Sequence, residues 1–308
     1  MRTLIALAVV GCAASVAAQD IASRDVRFFS EGTQCYGRLY LPKGFTPDAK
    51  AAAVVLAPGW MQTEVAIDKY AARFAARGLV AMAIDYRGWG RSGGYVYLAE
   101  PVRVDDRQRF SQHTAKVKIR RRRLVPGDQV IDIRNAVAYL QGEPGVDPAR
   151  VGIWGTDMGG GHVVVAAATD ARIKVGVAQV PIIEGRDVAK QAAPRSSQLH
   201  AAEIRLARSA AAPIAATPPG TDAETKLALA DYHPFWFVDQ VPEATAILFI
   251  VAERDTRVNN DGHAIAASKA MKGPTGVTVI DGATHGLTTA KAFESAADAA
   301  AAWFLKYL

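Results

Sequence analysis

Arg150-Val-Gly-Ile-Trp-Gly-Thr-Asp-Met-Gly-Gly-Gly-His162 decides how the rest of the chain is read. Residues 150–154 are apolar and partly β-branched, the pattern of a short buried strand. Gly155 and Gly159 bracket a tight turn with Asp157 at its apex. Gly160 and Gly161 leave room for a helix to start against the strand, and residues 163–168 continue it with small and apolar side chains. The stretch therefore predicts strand, sharp turn and helix, with one polar group at the tip. A plain strand-to-helix turn in which Asp157 caps the helix accounts for the same residues.

Outward from this point, strands alternate with helices. Residues 26–30 and 34–41 predict a hairpin turned at residues 31–33, and residues 51–57 a fully apolar buried strand. Thr63 is expected to cap a helix over residues 64–77, which Gly78 ends. Strands follow at residues 79–84, 173–180, 245–251 and 277–280. Helices are expected at residues 128–140 and 261–271, and an Ala-rich amphipathic helix at residues 291–308. This alternation predicts a mostly parallel central sheet with helices on both faces. Two stretches interrupt it, residues 95–127 and 181–240. Both leave the sheet at its carboxyl edge, where ligands bind in open α/β folds, and the second reads as an inserted cap.

Residues 1–18 resemble an export signal. Arg2 supplies a positive start, residues 4–10 a short apolar run, and Val16-Ala17-Ala18 a small-residue cleavage site before Gln19. The expectation is an exported, periplasmic or secreted domain over residues 19–308. Val9-Val10-Gly11-Cys12 also resembles a lipobox, and a membrane partner is expected only if Cys12 is lipidated. Cleavage at Gln19 leaves Cys35 as the lone cysteine, unable to form an internal disulfide and expected to be a small buried side chain.

Half the residues are hydrophobic and the formal charge is +6. Residues 116–123 concentrate six basic side chains in eight positions. They read either as an electropositive rim for an anionic substrate or membrane surface, or as a solvated loop paired with acids such as Asp105 and Asp106. An exported chain without aromatic interleaving argues against nucleic acid as a partner. No cysteine and histidine spacing suggests a metal, and no cofactor is expected.

Four stretches carry a family resemblance: Ala57-Pro-Gly-Trp60, the run Asp85-Tyr-Arg-Gly-Trp-Gly-Arg-Ser-Gly93, the turn at Asp157, and Gly-Gly-Gly-His162. With them the chain resembles the α/β-hydrolase superfamily, most closely its dienelactone-hydrolase-like and acyl-peptidase-like esterases. In that superfamily the tip residue of G-x-S-x-G is the nucleophile, and an acid and a histidine follow in chain order. The resemblance implies Asp157, Asp255 and His285 as the working triad, each just past a strand. It also implies an oxyanion hole from the main-chain N–H groups of Trp60 and Met158. His285 is expected to be the base, titrating near neutrality. Asp255 orients it, with Glu253 as the other acid in reach. His162 reads as a helix residue packed under the turn.

Asp157 departs from the esterase pattern, which has Ser there. A carboxylate attacks an sp³ carbon bearing a leaving group and forms an alkyl ester, as in haloalkane dehalogenases and epoxide hydrolases. Those enzymes usually carry Trp after the nucleophile, where this chain has Met158. Epoxide hydrolases add two cap tyrosines, and here the second excursion offers only Tyr232, with Tyr95 and Tyr97 in the first. The expectation is a hydrolase of a small-molecule ester, lactone, epoxide or carbon–halogen bond. Asp157 can also be a general base, and a non-catalytic binding protein on the same fold is the alternative.

Overall fold

The computed structural model describes residues 21–185, 204, 208 and 223–308. The signal-like segment and most of the expected cap lie outside the described residues. Strand β1 (Ala22–Ser30) turns back into β2 (Thr33–Leu41) in full antiparallel register, with Ser30 opposite Thr33. Then come β3 (Ala51–Ala57), α1 (Asp68–Ala76), β4 (Val80–Asp85), a small ribbon of β5 (Tyr95–Leu98) and β6 (Val117–Arg120), and α2 (Pro126–Gln141). The strand β7 (Val146–Thr156) leads into α3 (Met158–Thr169) and β8 (Ile173–Gln179). After α4 (Ala223–Ala230) the chain forms β9 (Ala246–Ala252), α5 (Ala266–Ala270), β10 (Thr275–Ile280) and α6 (Ala290–Tyr307).

Eight strands form one sheet in the order β1-β2-β4-β3-β7-β8-β9-β10. β2 runs antiparallel to both of its neighbours, and from β4 to β10 every pairing is parallel. The apolar runs that mark the central strands reflect burial on both faces. In β3, Ala53, Val55 and Ala57 point into one core with Ile133 and Val137 of α2 and Val163 of α3. Ala52, Val54 and Leu56 point into the other, with Phe74 of α1 and Phe304 of α6. Trp154 anchors that second core, fully buried, with its ring 4.5 Å from Tyr70 and 6.3 Å from Phe74.

Two local expectations are corrected. The segment after Thr63 is a 3₁₀ turn (Glu64–Ala66) followed by α1, and the Thr63 side chain makes no capping bond. The buried Asp85 carboxylate takes the Glu64 N–H instead, at 2.8 Å. The basic run is mostly exposed, but it is not a loop held by Asp105 and Asp106. Most of it is β6 and the residues just after. Arg120 pairs with Glu224 at the head of α4, Arg121 donates to the carbonyls of Ser92 and Gly90, and Arg123 donates to the Tyr97 hydroxyl. Asp105 pairs with Arg107.

Candidate active site

β7 and α3 meet at Asp157, whose backbone sits at φ 56° and ψ −118°. A non-glycine residue there costs on the order of 1–3 kcal/mol and persists only where its surroundings hold it. Here the Asp157 N–H donates to the Gln179 carbonyl at 2.9 Å. Its own carbonyl accepts from the N–H groups of Gly160 and Ile182 at 3.1 and 3.0 Å. The turn is so tight that a Cβ on Gly155 would lie 2.1 Å from the Gly159 carbonyl oxygen. Although Asp157 occupies the N-cap position of α3, its side chain accepts no helix N–H. The carboxylate faces away from the helix.

It faces His285 and Trp60. Asp157 Oδ1 lies 3.1 Å from His285 Nε2, and His285 Nδ1 lies 2.7 Å from Asp255 Oδ2. Asp255 is fully buried at its side chain, and its Oδ1 accepts the N–H groups of Arg257 and Val258 at 2.9 and 3.0 Å. The loops after β7, β9 and β10 thus bring together three residues separated by up to 128 positions. Glu253, the other acid near the β9 end, turns elsewhere and accepts the Gly282 N–H at 2.6 Å.

Asp157 Oδ2 accepts the Trp60 main-chain N–H at 2.8 Å. The loop that aims this donor is held from both sides. The Tyr86 hydroxyl donates to the Pro58 carbonyl at 3.0 Å, and the Gly59 N–H donates to Gln62 Oε1 at 3.1 Å. Only a glycine fits at residue 59 without displacing the carboxylate, because a Cβ there would stand 3.0 Å from Asp157 Oδ2 and from Gln62 Oε1. Met158 is buried at the first position of α3, where a main-chain N–H has no intrahelical acceptor.

Burial disfavours the His285 imidazolium, but hydrogen bonds to Asp157 and Asp255, together with their charges, outweigh it and raise its pKa to about 9. The expectation of titration near neutrality is corrected accordingly: the ring lies between two carboxylates, whereas a serine at residue 157 would leave one. For Asp255, burial works upward, yet bonds from His285 and two main-chain N–H groups hold its pKa below the usual carboxylate value. His162 is fully buried under the turn, bonded to the Tyr232 hydroxyl and to Gln129 Oε1, and burial pushes its pKa down to about 3. It stays a neutral packing residue. The Cys35 thiol is buried too, and burial pushes its pKa up to about 12.

A cleft of about 640 Å³ opens above these groups, with Trp60, Asp157 and His285 on its wall. Sequence reasoning missed Lys69 and Arg257, which also line it. Arg257 had one available signal, its place two residues after Asp255 on the same loop. Among the described residues, no group of three or more His, Cys, Asp or Glu is arranged to hold a metal ion.

Comparison with known proteins agrees with this architecture. A stretch of 162 residues is 32% identical to the quorum-quenching protein AidA of Acinetobacter baumannii, over 52% of this chain and 44% of that protein. The chain spans less than half the length of the first curated relatives it matches. Its fold is similar to that of DcsB in complex with its substrate analogue, at 20% identity and a TM-score of 0.72, covering 93% of this chain and 100% of the other. It is also similar to that of dienelactone hydrolase from Anabaena variabilis, at 16% identity and a TM-score of 0.58, over 94% of this chain and 99% of that one. Residues 54–302 match the family described as "Alpha/beta hydrolase family", and this chain belongs to it.

Proposed function

We propose that the protein hydrolyses a small molecule at an sp³ carbon bearing a leaving group, with Asp157 as nucleophile, His285 as base and Asp255 as the group that orients His285. The observation that carries this reading is the split use of the Asp157 carboxylate: Oδ2 on the Trp60 N–H, Oδ1 at the cleft beside His285. In the first step Oδ1 attacks the carbon, the bond to the leaving group breaks, and the leaving group departs with the electron pair. The product is an ester of Asp157 whose carbonyl oxygen is Oδ2, already on its donor. In the second step water attacks the ester carbonyl carbon and His285 takes the water proton. The negative charge gathers on Oδ2, where the Trp60 N–H, joined by that of Met158, stabilises it. Collapse breaks the ester C–O bond, the departing alkoxide takes the proton from His285 and leaves as the alcohol, and the acid left behind loses its proton to solvent, restoring a carboxylate with one oxygen from water.

The raised proton affinity of His285 fits this sequence. Esterification removes one of the two carboxylate charges that favour the imidazolium, so the ring releases its proton at the stage where a base is needed. An ester or lactone substrate with Asp157 as general base is the second reading. The 3.1 Å contact of Oδ1 with His285 favours it, because that hydrogen bond occupies a lone pair otherwise free for attack.

Repeated turnover in heavy-oxygen water separates the two. With a panel of epoxides, haloalkanes and activated esters, a nucleophilic Asp157 takes solvent oxygen into its own peptide, and His285→Gln accumulates the ester as a mass adduct on that peptide. A turning-over enzyme whose Asp157 peptide stays unlabelled, with label only in the product, overturns the nucleophile assignment and selects the general base. No turnover with any substrate selects the binding protein.

A further inference from the structure

We propose that the cleft selects substrates carrying a carboxylate, and that Lys69 and Arg257 receive it. This names the substrate class of the hydrolase read above and rests on that reading for the chemistry, though not for the binding.

Lys69 and Arg257 line the same cavity as Asp157 and His285, and among the described residues Asp157 is the only carboxylate on its wall. Several other cations of this protein are committed to acids. Arg24, Arg73, Arg77, Arg91, Arg120 and Arg172 each sit in an ion pair. Among the described residues neither Lys69 nor Arg257 has such a partner. Both are nonetheless held in place. The Lys69 ammonium lies 4.5 Å from the centre of the Phe293 ring and 5.9 Å from that of Tyr70, a seat that orients a cation without neutralising it. The Arg257 main chain is tied to Asp255 Oδ1 at 2.9 Å. Its guanidinium is therefore carried by the loop that positions His285, and a planar fork of N–H donors matches a carboxylate two bonds at a time.

The charge balance points the same way. With His285 protonated between Asp157 and Asp255, the triad carries one net negative charge, and the two free cations more than offset it. A carboxylate nucleophile repels an anionic substrate, so a site that works on one needs this compensation at its mouth. The positive field extends beyond the cleft. A second cavity of about 630 Å³ shares Met61 with the first, and its charged lining residues are Arg121 and Arg122.

The test compares hexanoate with hexanamide, similar in size and differing in charge, by calorimetric titration of the whole protein at low ionic strength. Hexanoate is expected to bind at least tenfold more tightly than hexanamide. Added salt is expected to weaken hexanoate and leave hexanamide unchanged. Lys69→Met and Arg257→Met should each remove most of the preference without changing hexanamide affinity or the thermal midpoint, since both residues are exposed. Equal affinity of the two probes for the wild type overturns the proposal, as does a preference that survives in both variants. Neither outcome depends on turnover, so the fate of the Asp157 label is scored independently.

Discussion

Trp60 gives its main-chain N–H to the side chain of Asp157, at 2.8 Å from Oδ2. In an elbow with a hydroxyl at its tip, the same donor is open to the oxyanion of a substrate ester. Asp157→Ser therefore frees it. The variant is expected to hydrolyse p-nitrophenyl acetate at least tenfold faster than the wild type, with a burst of nitrophenol from acylation. One oxyanion donor is worth about 10²–10³ in kcat, so Trp60 has the reach to produce the gain. A serine variant no faster than the wild type means the donor does not face an ester carbonyl.

His285 makes stability fall on the alkaline side. Its folded pKa, about 9, lies above the ordinary 6.5. A raised histidine contributes its full stabilisation below the lower value and loses it as pH rises through the upper one. The amount is on the order of 3 kcal/mol. Urea unfolding at pH 6.5 and at pH 9.5 should show the wild type losing stability and His285→Gln losing much less. In an NMR titration, Asp157→Asn should bring the His285 transition to lower pH. Asp255 acts at the other end: its depressed pKa contributes stability that disappears as pH falls through the acid range.

Asp255→Asn is expected to fold normally and to lose about 10²-fold or more in turnover. The amide can keep the bonds from the Arg257 and Val258 N–H groups through its oxygen, and it then presents an NH₂ to His285 Nδ1. That forces the other tautomer, in which Nε2 carries the proton and cannot take one from water. Full activity in this variant would move the orienting role to another acid.

Export is tested by sequencing the N-terminus of the protein recovered outside the cytoplasm. We expect Gln19 as the first residue, following Val16-Ala17-Ala18. A diacylated Cys12 at that position would instead tether the protein to a membrane.

The frame of the site was readable because its signals are local. Ala51–Ala57 is apolar on both faces, which only a strand buried between helix layers requires. Gly155 is demanded by the Gly159 backbone four residues on, so the turn declares itself in the chain, whereas Gly159, Gly160 and Gly161 make room for the distant backbones of Ala57, Pro181 and Ile182. The features that were not legible depend on distance. Thr63 looks like a helix cap, but the Glu64 N–H is taken by Asp85, 21 residues on. Arg120 reads as part of a solvated run until it meets Glu224 across 104 residues. The proton affinity of His285 depends on two carboxylates from different strands, and no spacing in the sequence counts them. Lys69 gave no signal at all, since an exposed lysine on a helix is the commonest of surface features.

Gly185 donates its N–H to the Tyr232 carbonyl at 2.9 Å. The chain after β8 and the chain just past α4 are thus drawn together at a neck, with α4 packed on the body through the buried Leu229 and the Arg120–Glu224 pair. A Cβ on Gly185 would fall 2.4 Å from that same carbonyl oxygen, so the neck is drawn tight. A side chain at residue 185 therefore has to shift the backbone of Tyr232, whose hydroxyl holds His162 under the turn at Asp157.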